Sequence, residues 1–270
     1  MKRLLTVLLI ILSVEGFTQP KVPGVVINHS PAHTGVYLGG PSVVILGDGT
    51  YLSTHTEFGP NSQMNSKPKT LIYHSLDKGQ TWTEISVLEG NCWSGLFVHN
   101  YEIYLMGMSK KYGDLIIRKS TDNGYSWTEP ADSQSGLLRN DFEYHSAPVP
   151  VVRHQGRLYR AVEVRNPGYG WGTNFETLIV SAAVDSDLLS ADSWQTSNRL
   201  HFDQRWLGSA WLEGNIVVTP DSQLVNMLRL HYLEHGGKAA LVRYDIEKNI
   251  ISFDEKSDII NFPGGAKKFT

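Results

Sequence analysis

An eight-residue pattern occurs twice, forty-five residues apart, and it restricts the fold more than any other feature of the chain. Ser75-Leu76-Asp77-Lys78-Gly79-Gln80-Thr81-Trp82 and Ser120-Thr121-Asp122-Asn123-Gly124-Tyr125-Ser126-Trp127 both read S-x-D-x-G-x-x-W. Each follows a short apolar run, residues 71–74 in one case and 115–118 in the other. The pattern suits a tight hairpin. The Asp side chain can cap the turn, the Gly takes the left-handed conformation, and the Trp packs beneath as an anchor. A hairpin motif that recurs every forty to fifty residues, roughly, is the signature of a radial array of small sheets.

A longer unit surrounds these turns. Residues 41–46 and 50–55 flank Gly47-Asp48-Gly49, residues 95–98 and 102–106 flank a turn at His99-Asn100, residues 148–152 and 157–162 flank His154-Gln155-Gly156, and residues 215–218 and 224–228 flank Pro220-Asp221-Ser222. Each is a strand, a turn and a return strand. An outer hairpin follows every pair. The first two carry the quoted pattern, the third runs from residues 178–182 to Trp194 through a longer turn, and the fourth runs from residues 240–244 to Phe253. Four units therefore start near residues 39, 93, 145 and 213. The expected fold is all-β, a six-bladed β-propeller of four-stranded antiparallel blades. Residues 262–270 read as the opening strand of a fifth blade, so the chain is expected to hold about two thirds of a ring that must close.

Residues 1–19 have the form of a secretory signal, with Lys2 and Arg3 before an apolar run at residues 4–14 and Val14-Glu15-Gly16 at the cleavage region. That run is too short to span a bilayer. Residues 20–270 then form the propeller, in a periplasmic or extracellular setting. Without Lys2, Arg3 and Glu15 the chain carries 22 basic against 26 acidic residues, a balance that argues against nucleic acid or an anionic membrane as partner. Cys92 is the single cysteine, which excludes an internal disulfide and reads as buried packing beside Trp93. Seven Trp and twelve Tyr exceed what the turn anchors need and suit sugar-binding surfaces.

In such an array the starts of first strands and the ends of second strands share one face, while the S-x-D turns lie on the other. Asp77 and Asp122 are therefore structural. The shared face gathers Gly39, Gly40, His55 and Glu57 from the first unit, and Trp93, Met108 and Lys110 from the second. The third adds Glu143, His145, Glu163 and Arg165, with Trp171 on the loop beyond; the fourth adds Trp211, Glu213, Arg229 and His231. Carboxylates, arginine forks and indoles around one axis fit recognition and cleavage of a charged or polyhydroxylated sugar. Each has a plainer reading beside this one: Glu57 and Glu163 as solvated loop acids, His145 as a strand-end hydrogen bonder, Glu213 and Arg229 as a structural ion pair. His29 and His33, four apart in a Pro/Gly-containing stretch, read as loop histidines. No metal or other cofactor is called for.

On these residues the chain resembles the sialidase (neuraminidase) superfamily, whose six-bladed propellers carry such hairpins as Asp-boxes, or BNR repeats. Ser75, Asp77, Gly79 and Trp82, and Ser120, Asp122, Gly124 and Trp127, match the box. The stretch from Glu213 to Arg229 is similar to a sialidase strand–turn–strand segment with Glu at its head and Arg sixteen residues on. The resemblance implies that Glu213 activates a tyrosine nucleophile and that Arg229 binds a substrate carboxylate. It implies a retaining, exo-acting glycosidase, for which the shared face offers Glu57 or Glu163 as a proton donor. Arg165, Trp93, Trp171, Trp211, His55 and His231 would contact a glycan or polysaccharide. The chain departs from the pattern at Gly39-Gly40-Pro41, where sialidases place the first of three clamp arginines, and at residues 57–66, where Glu57 is the one carboxylate. A non-catalytic glycan-binding propeller and a lyase using His145 or His55 as base are the alternatives.

Overall fold

The computed structural model describes residues 24–168, 171–231, 237–264 and 267–269. The expected export signal at residues 1–19 lies outside them. The described chain is all-β with antiparallel pairing throughout, in four successive units. The first is a complete meander of β1 (Tyr37–Ile45), β2 (Tyr51–Phe58), β3 (Lys69–Ser75) and β4 (Thr83–Glu89).

The second unit comprises β5 (Cys92–His99), β6 (Glu102–Met108), β7 (Gly113–Ser120) and the front of β8 (Leu137–His145). Its outer strand does not follow the turn directly; a loop of residues 128–136 intervenes before Leu137 pairs Ile116. β8 then runs on into the third unit, where Glu143, Tyr144 and His145 pair β10 (Arg157–Arg165). The expected first strand at residues 148–152 is accordingly broken: the end of β8 and the short β9 (Val152–His154) share its place beside β10. Pro148 and Pro150 have no N–H to give a ladder, so the gap falls on them.

The third unit continues with β11 (Phe175–Ala183), paired by β12 (Trp194–Thr196) and β13 (Leu200–His201). The fourth holds β14 (Ala210–Val218), β15 (Leu224–His231), β16 (Lys238–Asp245), β17 (Ile250–Ser252) and β18 (Ile259–Asn261). One helical turn, Glu255–Asp258, separates the last two; the Asp254 side chain caps it by accepting from the Lys256 N–H. The segment expected to open a fifth blade forms no strand among its described residues. Pro263 and Gly264 turn the chain, with Gly264 N donating to Phe262 O at 2.8 Å and Lys267 N to Gly264 O at 2.8 Å. Phe269 then returns its carbonyl to the Asn215 amide at 2.8 Å.

The core lies between units. Leu52, Ile72 and Leu88 of the first pack with Leu96, Ile103 and Leu105 of the second. Met106, Ile117 and Tyr144 meet Val162, Val180 and Trp194 in the next layer, and Tyr159 and Ile179 meet Trp211, Leu228 and Val242 in the last. Strands β2 and β6 are buried along almost their whole length because both of their faces are covered.

The two repeated turns are atomically alike. Ser75 Oγ donates to Asp77 Oδ1 at 2.7 Å, Thr81 N to Asp77 Oδ1 at 2.8 Å, and Trp82 Nε1 to Gly79 O at 3.1 Å. Ser120, Asp122, Ser126, Trp127 and Gly124 repeat each bond within 0.2 Å, at 2.8, 2.9 and 2.9 Å. Gly79 and Gly124 take φ of 86° and 92°, the region that glycine enters without a Cβ penalty. The Thr81 hydroxyl, which donates to Asp77 Oδ2 at 2.6 Å, then the Thr81 amide and the Ser75 hydroxyl, hold the Asp77 carboxyl down to about 2, which keeps the turn charged and closed through the physiological range. In the third unit the turn is longer, yet Trp194 Nε1 still donates to a turn carbonyl, Leu188 O, at 3.0 Å.

Candidate functional site

The first strands of three units share a defect. β1 shifts register between Gly39 and Ser42, β5 between Cys92 and Gly95, and β14 between Leu212 and Asn215. At each bulge one residue has positive φ: Gly40 at 62°, Trp93 at 49° and Glu213 at 59°. A bulge inserts an extra residue, bends the strand and re-aims a side chain. Here all three bulges border one cavity of about 400 Å³, whose wall also includes His145, at the break in the third unit's first strand. For Trp93 and Glu213, ordinary L-residues, that backbone costs about 1–3 kcal/mol each, strain of the kind that clusters at ligand sites.

Glu213 is only 2% exposed, and both carboxylate oxygens are engaged. Arg229 Nη1 donates to Oε2 at 2.8 Å from the neighbouring strand, and Lys268 Nζ reaches Oε1 at 3.2 Å. The Lys268 ammonium also sits 4.5 Å from the centre of the Trp93 ring. Phe58 stands 5.6 Å from Trp93, and Met64 and Lys111 complete that side. Trp171, also in the lining, lies 5.4 Å from the Arg229 guanidinium and 5.9 Å from His231. One carboxylate, three cations and aromatic walls can grip a sugar by stacking and charge-assisted hydrogen bonds.

The glycines at the first bulge answer the departure from the sialidase pattern. A Cβ on Gly39 would stand 2.8 Å from Phe58 Cε1, and one on Gly40 would stand 2.7 Å from Trp93 Cε3. The aromatic wall occupies the space an arginine would need.

Glu163 lies behind this surface with no exposure, accepting from the Gly214 N–H at 2.9 Å. Burial raises its pKa to about 8, and the nearby Glu213 charge adds to the rise against the Gly214 hydrogen bond. It is a neutral carboxylic acid at neutral pH, out of reach of a ligand in the cavity. His145, its antiparallel partner in β8, is packed between Phe175 at 5.1 Å and Tyr112 at 5.9 Å.

The structure thus brings Glu213, His145, Trp93, Trp171, Arg229 and His231 together, and it separates others. Trp211 is fully buried among Phe202, Trp206 and Phe253, so its ring stabilises the last layer and is not offered to a ligand. His55 stacks on Tyr73 at 5.1 Å and bonds Asn28 at 3.0 Å. Glu57 alternates with the cavity-lining Phe58 along β2 and so leaves the strand on the His55 face. Arg165 is held beside the cavity, 2.7 Å from Glu143 and 4.3 Å above the Tyr112 ring. Cys92 is buried and its thiol is pushed up to about 12 by burial, which removes it as a nucleophile.

Sequence reasoning missed Lys111, Lys268, Phe58, Met64 and Tyr112. Phe58 was legible from its alternation with Glu57. Lys268 was not, because it arrives from a segment read as a new strand.

No family profile and no curated protein matches the sequence. The fold is similar to that of a protein of unknown function from Dyadobacter fermentans (TM-score 0.57, 15% identity, 83% of this chain and 70% of that one). It is also similar to the α-L-arabinofuranosidase Arb93A of Fusarium graminearum, solved with an iminosugar inhibitor (TM-score 0.54, 15% identity, 81% and 66%). A third likeness is to an α-L-arabinofuranosidase from Lactobacillus brevis (TM-score 0.52, 13% identity, 83% and 79%). The chain is structurally related to carbohydrate-active enzymes of mostly β-sheet fold, and it spans about two thirds to four fifths of the lengths of these three.

Proposed function

We propose that this chain is an exported glycoside hydrolase that removes terminal sugars from glycans or polysaccharides by a retaining reaction, its four units being blades of a six-bladed propeller. The carrying observation is Glu213. A strained backbone turns its carboxylate into an aromatic-walled cavity, and Arg229 orients it at 2.8 Å. Glu213 serves as the base or nucleophile activator, in the manner of the Tyr-nucleophile exception among glycosidases. Trp93, Phe58 and Trp171 stack on ring faces, and Arg229, Lys111 and Lys268 hold hydroxyl or anionic groups. Glu163 acts behind Glu213, through the Gly214 amide next to it in the bulge. The Asp-box turns and the Glu213–Arg229 spacing support a sialidase-type site; the filled Gly39-Gly40 position favours a sugar held by stacking over one clamped by three arginines.

Hydrolysis of 4-nitrophenyl α-L-arabinofuranoside, β-xyloside and α-sialoside, together with arabinan and sialylated glycoprotein, tests the reading. Glu213→Gln is expected to lower kcat about 10²–10⁴-fold with the fold intact. An active wild type whose Glu213→Gln variant keeps full activity refutes the assignment.

A non-catalytic glycan-binding propeller is the second reading. It is favoured by the engagement of both Glu213 oxygens by cations. Binding measured by calorimetry with no product released from any of these substrates would select it.

A further inference from the structure

The hairpins that join the first two strands of the second and third units are built alike. Each is a two-residue turn with positive φ at both positions: Asn100 (48°) and Tyr101 (65°) between the paired His99 and Glu102, Gln155 (42°) and Gly156 (74°) between the paired His154 and Arg157. Positive φ at both central residues is the requirement of a type I′ turn, whose second position glycine fills best. The third unit has Gly156 there. The second has Tyr101, in a backbone that a bulky residue adopts only under strain. Tyr101 is 100% exposed, so its ring adds no packing to the fold. The turn that carries it is fixed from below: His99 Nε2 donates to the Val184 carbonyl at 2.6 Å, and the Asn100 amide donates to the same oxygen at 3.4 Å.

Tyr101 borders a depression of about 640 Å³ between the first two units, at the opposite ends of β1 and β5 from Gly40 and Trp93. Ile45 and Val98 give it an apolar lining, exposed by 60% and 41%. Asp48, Asn123 and Arg153, all exposed, bring hydrogen-bonding groups and one charge of each sign; Asn123 Nδ2 donates to Asp48 Oδ2 at 3.2 Å. Strain at a residue that the fold does not use points to a use outside the fold.

We propose that Tyr101 and this depression form a second carbohydrate-binding site, which stacks a sugar residue of a polymeric glycan on the Tyr101 ring and holds the polymer on the face opposite the cavity. A sugar has an apolar C–H face and a rim of hydroxyls that both donate and accept. An aromatic ring open to solvent fits the first. Carboxylate, amide and guanidinium groups beside apolar side chains fit the second. The one acid and one base balance, so they favour neither a polyanion nor a polycation. A polymer, or a surface dense in glycans, can engage both sites at once, whereas a disaccharide engages one. Like the proposed function, this takes the ligand to be a glycan, but it does not depend on the chemistry at Glu213.

The test is affinity electrophoresis of the full chain through gels containing arabinan, xylan or mucin, in a Glu213→Gln background so that the polymer is not consumed. Tyr101→Gly keeps the turn and removes the ring. Its dissociation constant, read from mobility against polymer concentration, should rise about two- to tenfold, the value of one stacked ring. Tyr101→Phe, which keeps the aromatic face, should stay within about twofold of the parent. Because glycine suits this backbone, Tyr101→Gly should hold the parent Tm or raise it by about 1–3 °C.

Equal retardation of the parent and Tyr101→Gly overturns the proposal, and so does a Tyr101→Phe variant that binds as weakly as Tyr101→Gly. A Tm lowered by more than about 3 °C in Tyr101→Gly overturns it too, since the ring would then support the fold. A dimer in light scattering that Tyr101→Gly abolishes would assign the ring to self-association instead. If no polymer retards the parent, the second site falls, and the cavity is judged by the hydrolysis assays alone. Retardation with the Tyr101 signature while the wild type releases no product removes only the hydrolase reading. Product release by a wild type that lacks the Tyr101 signature removes only the second site.

Discussion

Replacing Glu163 by Gln should change how stability depends on pH in a calculable way. The native carboxyl holds its proton up to about pH 8, whereas in the unfolded chain it ionises at its ordinary value of 4.5. Between those limits the native state binds the proton that the unfolded state has released. The stability contribution is therefore fully present below pH 4.5 and is lost as pH rises towards 8. Each unit costs about 1.4 kcal/mol, so the wild type forgoes about 3 kcal/mol by pH 7. A glutamine keeps the oxygen that accepts from the Gly214 N–H and has no proton to lose. The two proteins should be nearly equal in stability at pH 4.5, and the variant should lead by about 3 kcal/mol at pH 7. That is a large share of the roughly 5–15 kcal/mol of a folded domain.

Urea denaturation at pH 4.5, 5.5, 6.5 and 7.5, with m-values compared, measures the difference directly. Subtracting one protein from the other removes every other titrating group. A difference that stays constant across the series refutes the burial of a neutral acid behind Glu213. His145 supplies the opposite limb. Its native pKa of about 3 lies below the ordinary 6.5, so its contribution is present above pH 6.5 and is lost as pH falls. The two slopes cancel between pH 4.5 and 6.5, giving the wild type a plateau there from these two groups. Glu163→Gln should replace the plateau by a rise that levels off near pH 6.5.

Other outcomes follow from the packing. Trp211→Ala should destabilise by about 3–5 kcal/mol in chemical denaturation, since its ring fills the core between the last two units. Gly40→Ala should abolish sugar binding measured by calorimetry, because the new methyl meets the Trp93 ring at 2.7 Å in a left-handed backbone. Asp122→Ala should lower Tm more than Asp122→Asn, which keeps one acceptor for the Ser126 amide, and neither should alter affinity at the cavity. Lys268→Ala should change affinity for an anionic sugar more than for a neutral one, as the ammonium is the cation shared by Trp93 and Glu213.

The parts of this fold that could be read from residues alone are those that local chemistry decides. The Ser–Asp–Gly–Trp turns were legible because every bond in them lies within eight residues, and the structure repeats those bonds in both copies. Strand pairs joined by Gly, Asp or Asn turns were legible for the same reason. The delayed return of the second unit's outer strand was hidden by Trp127, which completes the turn without starting a strand. The broken inner strand of the third unit could have been anticipated from Pro148 and Pro150.

The site is a different case. Glu213 and Arg229 were paired on sequence spacing, and the register of β14 against β15 makes them neighbours. Their company was decided in three dimensions. Nothing in the residues around Trp93 or Glu213 announces a bulge, since a bulge is a property of two strands in register and of the packing that tolerates positive φ. Whether Glu163 is a solvated acid or a buried neutral one depends on the covering of both faces of β10 by neighbouring units. Sequence determined the turns, the strand units and the all-β class, because those are short-range hydrogen-bonding and patterning problems. Tertiary structure alone decided that Lys268 joins Gly40, Trp93, His145 and Glu213 at one cavity and that Trp211 does not, because burial and register are long-range quantities that no local window contains.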